Sequence, residues 1–339
     1  MLLAIAAGML CMGIVSARPQ SSGYHLANKI ILGGPGGWDY FTVDSTTHRI
    51  FIPRGTHTMV LDPEGNVVKD MQNMIGAHGI DLAPDLKRGF ISNGAAQSLT
   101  IFNMVSFETI LEVKIPKRNP DGILYEPFSK RVFVFNGGTS MNATAIDAST
   151  GKILGSVPLG GKPETAQADG TGRIYVNVED KNQILAFDAT TLKVLHTWLV
   201  APCIEPAGLA IDVAHKRLFA GCHNNLMAVV DYANGKVVAT VPIGQGVDAN
   251  RFDPATGLAF ASCGDGTITV VHEDAPDKYT VVEKISTQRG ARTMALDTSN
   301  HNVYTVTADL GPPSAPTEKV PNPRPTVVPD TFTLLIFSR

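Results

Sequence analysis

Six ionisable residues, Asp39, His78, Asp121, Glu164, Asp248 and Arg292, recur along this chain at a fixed offset, each five residues before an anchor position that follows a short apolar run. The seventh position of the column is Ala207, with Glu205 two residues ahead of it. Only 17% of the chain is charged, so this column is far richer in charge than the whole. Its chemistry depends on convergence. Carboxylates gathered in one place raise one another's pKa unless a cation compensates, and with carbonyl oxygens they suit a divalent cation such as calcium. His78 as a base and Arg292 as an oxyanion partner would instead support hydrolysis. Polar capping of loop amides selects the same residue types without any ligand.

Convergence requires repeated elements. The anchors are Asp44, Ala83, Glu126, Asp169, Asp212, Asp253 and Asp297, spaced 39, 43, 43, 43, 41 and 44 residues apart. A second column follows, with Asp62, Asn103, Asp147, Asp188, Asp231, His272 and Phe337 closing MVLD, TIFN, TAID, LAFD, AVVD, TVVH and LLIF. Each unit reads as four short alternating strands with turn residues between them. Seven such units predict an all-β, seven-bladed β-propeller of four-stranded blades. The blades fall near 33–74, 75–116, 117–160, 161–200, 201–244, 245–288 and 289–339. The last unit reaches only its third strand, FTLLIF (332–337), so YHLANKIIL (24–32) is expected to supply its outer strand and close the ring.

The second strands Phe133-Val134-Phe135-Asn136, Phe90-Ile91-Ser92-Asn93 and Tyr175-Val176-Asn177 resemble the signature of the YVTN-repeat (YncE-like) exported bacterial propellers. The Asn is replaced by Arg54, Cys222, Ser262 and Thr307 in blades one, five, six and seven. The resemblance implies seven blades and export. It implies no single function, because that family is heterogeneous.

In a propeller the loop entering the innermost strand and the loop joining the second and third strands share one face. The column therefore rings one mouth of the channel. Arg54, His57, Asn93, Asn136, Asn177, Asp180, Lys181, His223 and Asp265 decorate the same face, with His57 and His223 as the candidate ligand contacts. Asp81 and Arg251 occupy equivalent mid-strand positions in blades two and six, where charges are rarely buried unpaired. The proline-rich stretch 309–330 projects over the same mouth as a lid, a docking arm or a plain insertion.

Residues 1–17 have the length and the Val15-Ser16-Ala17 ending of a signal peptide, with the mature chain spanning 18–339. That places the protein in the periplasm or outside the cell, with no membrane span after cleavage. A formal charge of −3 without a basic block gives no electrostatic reason to bind nucleic acid. The mature chain holds Cys203, Cys222 and Cys263, and Cys203 and Cys222 are close enough in the repeat to form a disulfide. No G-x-S-x-G, C-x-x-C-H or H-E-x-x-H motif occurs. Three functions compete: a monomeric module binding a small molecule or partner protein at the mouth, a hydrolase or lactonase there, with or without a bound cation, and an accessory to a metal or redox system. The sequence favours binding.

Overall fold

The computed structural model describes residues 21–317, 323 and 325–339. The expected signal peptide 1–17 and its cut after Ala17 lie outside the described residues. Seven four-stranded antiparallel sheets form the blades. The innermost strands are Thr42–Asp44, Ala77–Ala83, Pro120–Glu126, Pro163–Ala168, Pro206–Asp212, Val247–Asp253 and Met294–Asp297, which pack side by side around a central channel. Helical structure among the described residues is limited to two single turns, Pro84–Leu86 and Glu179–Lys181.

The anchor columns are turn chemistry. Asp44, Asp169, Asp212, Asp253 and Asp297 each accept a hydrogen bond from the backbone N–H two residues on, at 2.8–3.1 Å. Glu126 does the same for Phe128. The third-strand column repeats the device through Asn103, Asp147, Asp188 and Asp231. A short acceptor that satisfies its own turn fixes where one strand stops and the next begins. Blade two has Ala83 at this position and uses the single helical turn Pro84–Leu86 instead.

Strand alternation then builds the core. Val132 and Val134 face blade two while Phe133 and Phe135 face blade four. Seven apolar clusters result, one at each interface between neighbouring blades. The seam closes as the strand count predicts: His25–Ile31 pairs antiparallel with Thr333–Ser338, as the outer strand of the last blade. Phe41, Ile50 and Ile52 of blade one pack on Tyr304, Leu334 and Ile336 of blade seven. No open edge is left between first and last blades.

Candidate functional site: the charged mouth of the channel

The positions five residues upstream of the anchors lie at or just before the starts of the innermost strands, and the structure brings the column together. Asp39, His78, Asp121, Glu164, Asp248 and Arg292 line one cavity of about 280 Å³ with Tyr40, Lys162, Glu179 and His223. His78 sits between two acids, Nδ1 2.9 Å from Asp121 and Nε2 3.3 Å from Asp39. Arg292 Nε lies 3.0 Å from Asp248. Lys162 bridges Glu164, at 2.5 Å, and Glu179.

Five carboxyl groups thus face Lys162, Arg292 and two imidazoles, His223 and His78, the last of them charged. Burial opposes that charge, but Asp121 and Asp39 outweigh it and push the His78 pKa up to about 9. Burial drives Asp39 up to about 6, against the pull of His78 and with the push of Asp248 and Asp121. Burial also raises Glu164 in spite of Lys162, and Asp121 and Glu179 add to the rise. The mouth is short of positive charge.

Tyr40 forms its floor. From blade one its hydroxyl crosses the channel to donate to the Asp248 backbone oxygen of blade six, at 3.3 Å, and lies 3.5 Å from Thr165 Oγ1 of blade four. Below it a second cavity of about 220 Å³ holds Asp81, Arg251, Gln167 and Thr42. Burial raises Asp81 to about 6, although the Tyr125 and Leu82 amides donate to it. The two mid-strand charges therefore line the channel wall beneath the mouth.

The stretch 309–330 contributes a short hairpin, Leu310–Pro313 paired with Pro325–Val327. Residues 318–322 and 324 lie outside the described residues. Leu310, Pro325 and Val327 roof a side chamber of about 370 Å³ whose other walls include Trp38, Arg289 and Arg292. Arg292 borders both the chamber and the mouth.

Other expected residues stand elsewhere. His57 does not line the mouth: its hairpin is tight, with the Arg54 N–H donating to its carbonyl, and the buried ring turns outward to within 3.9 Å of Asp70. Arg54 is buried and structural. Its guanidinium donates to the carbonyls of Gly33, Gly34, Pro35, Gly36 and Gly37 and lies over the Phe332 ring. This explains the glycines of GGPGG. Gly36 has φ +98°, and a Cβ there would meet the Arg54 carbonyl oxygen at 2.2 Å. Asn93, Asn136 and Asn177 are buried, and their amides donate to Thr100, Thr144 and the Ala207 carbonyl. Asp180 and Asp265 brace loops through the Lys162 and Gln245 amides, and Lys181 pairs with Asp180.

Glu205 and His223 form the rim of blade five, 3.2 Å apart. Their loops are joined by a disulfide between Cys203 and Cys222, and Cys263 is free and buried. Glu179, Glu205 and His223 bring donor atoms within 4.8 Å of one another, so this rim is where a divalent cation at the mouth would find its ligands.

Fold and mouth together define a seven-bladed propeller with an acid-rich ligand-sized opening at one end of its channel. The chain belongs to the family described as "Outer membrane protein assembly factor BamB", which it matches over residues 108–310, more than half its length. No curated protein matches the sequence. Among solved structures it is similar to one of the Mitotic Checkpoint Complex, with a TM-score of 0.74 and 10% identity, covering 100% of this chain and 98% of that one. It is also similar to Kuenenia stuttgartiensis hydrazine synthase, with a TM-score of 0.70 and 14% identity, covering 80% and 93%. At such identities these likenesses show the fold alone. No helix among the described residues is long and apolar enough to cross a membrane.

Proposed function

We propose that this protein is an exported binding module whose mouth holds the cationic group of a small organic ligand, with the ligand's apolar body in the side chamber. The observation that carries this reading is the excess of carboxyl groups over cationic side chains lining the mouth. An incoming ammonium or guanidinium group supplies the missing charge. Trp38, Leu310 and Val327 stand next door to receive an apolar body, and chambers of these volumes suit a small molecule. The family description names an assembly factor, which supports a second occupant, a basic side chain of a partner protein, at the same acids.

Binding is favoured over hydrolysis by His78. With a pKa near 9 it is an imidazolium at neutral pH, held by two carboxylates, and has no free lone pair with which to act as a general base. Export is supported by the Cys203–Cys222 disulfide, which belongs in an oxidising compartment. The resemblance to YVTN-repeat propellers rests on their Asn-ended second strands and points the same way. On this reading, N-terminal sequencing of the exported protein gives Arg18; a mature chain beginning at Met1 would contradict it.

Phenethylamine and 3-phenylpropanoate are near-isosteres of opposite charge. The amine is expected to raise the melting temperature of the purified protein in a concentration-dependent way, and the acid to leave it unchanged. A larger shift with the acid would reverse the sign of the site and sink the proposal.

A further inference from the structure

Besides the mouth, one titratable cluster stands apart on the opposite face, where blades five and six meet. Asp212 ends the innermost strand of blade five, His215 lies in the turn after it, and Glu273 belongs to the third strand of blade six. His215 Nδ1 is 2.6 Å from Asp212 Oδ2 and 3.3 Å from Glu273 Oε1. The Asp212 and Glu273 side chains are 1% and 3% exposed, whereas His215 is 52% exposed and closes the cluster from outside.

An aspartate–histidine contact is by itself a structural device of this fold. Asp253 holds His301 at 2.8 Å between blades six and seven, and Asp297 holds His48 at 2.6 Å between blades seven and one. What sets the blade-five cluster apart is the second carboxylate. Blade six runs its third strand nine residues, Thr267–Ala275, past the column residue His272, and this extension carries Glu273 inward against Asp212. Two carboxylates are thereby buried together, and among the described residues no lysine or arginine pairs with either.

Glu273 is also poorly served by hydrogen bonds. Its Oε2 is buried with no donor. Oε1 lies 3.3 Å from the Tyr279 hydroxyl, whose single proton has a shorter acceptor in the Pro276 carbonyl at 2.8 Å. An enclosed carboxylate oxygen without a donor is costly to keep, and a cation removes that cost.

We infer that Asp212, His215 and Glu273 form a site for a divalent transition metal, with zinc as the fitting ion, clamping blades five and six together. Their donor atoms already lie within 4.8 Å of one another. Two carboxylate oxygens and one imidazole nitrogen give three protein ligands and leave a fourth, solvent-facing position for water. The nitrogen donor and the low ligand count disfavour calcium, which takes six to eight oxygens.

Calorimetric titration of the whole protein with ZnCl2, beside His215→Ala, Glu273→Gln and His223→Ala, tests this. His215 is half-exposed, so its replacement leaves packing intact, and His223→Ala removes the imidazole of the rim cluster at the mouth. The expected result is a saturable zinc site in the wild type, weakened at least tenfold by His215→Ala and Glu273→Gln and unchanged by His223→Ala. A wild type without saturable zinc binding, or a His215→Ala protein with wild-type affinity, overturns the inference.

Discussion

At the scale of single residues, the mouth is governed by protonation. His78 has a folded pKa near 9 against about 6.5 unfolded, so its contribution is fully present below pH 6.5 and is lost as pH rises through 9. Asp39 is raised to about 6, the reverse of the usual carboxylate, so its contribution also declines with rising pH, between about 4 and 6. Both groups bind more protons in the folded state. Chemical denaturation is therefore expected to show the wild type losing stability from pH 6.5 to 9.5, and His78→Gln losing less over that interval. An identical decline in the two proteins would show that His78 is not held as an imidazolium. The column at offset five was legible because pseudo-symmetry equalises height and facing. Lys162 was missed because it stands just ahead of the strand Pro163–Ala168, outside the offset column. Glu179 carried no signal either, because it begins a helical turn that breaks strand register.

At the scale of elements, turn chemistry made the strands readable and local packing hid the exceptions. The anchor aspartates recur because each satisfies its own turn, and the spacing of the anchor positions, with Ala83 in blade two and Glu126 in blade three, exposed every blade. The role of Arg54 was not legible. It occupies a family Asn position, but its partners are five carbonyls of a loop 17 to 21 residues upstream. His57 likewise faces Asp70 because its hairpin is tight, which no column position reveals. Arg54→Met keeps length and apolar character but leaves those buried carbonyls without a donor. A loss of about 2–4 kcal/mol in denaturant unfolding is expected, with little effect from Arg49→Met, whose side chain rests on the Phe107 ring at the opposite end of that strand. Equal stability of Arg54→Met and wild type would mean that water replaces the guanidinium without cost.

At the scale of the whole molecule, the ring makes a site that no single blade contains. Blades one, two, three, six and seven each present one ionisable side chain of the column to the mouth, blade four presents Lys162, Glu164 and Glu179, blade five adds His223, and Tyr40 spans from blade one toward blades four and six. Closure by His25–Ile31 keeps that geometry fixed. Repeat period and strand count gave this architecture directly, whereas the side chamber depended on a hairpin inside a proline-rich stretch with no repeat counterpart. The central claim is that the convergent carboxylates bind a cationic ligand group. Its most direct measurement is calorimetric titration of phenethylamine into the wild type and into the Asp121→Ala/Glu164→Ala protein, with circular dichroism confirming that both are folded. Saturable binding in the wild type, weakened at least tenfold in the double variant, is the predicted result; undiminished affinity in a folded double variant would contradict the account.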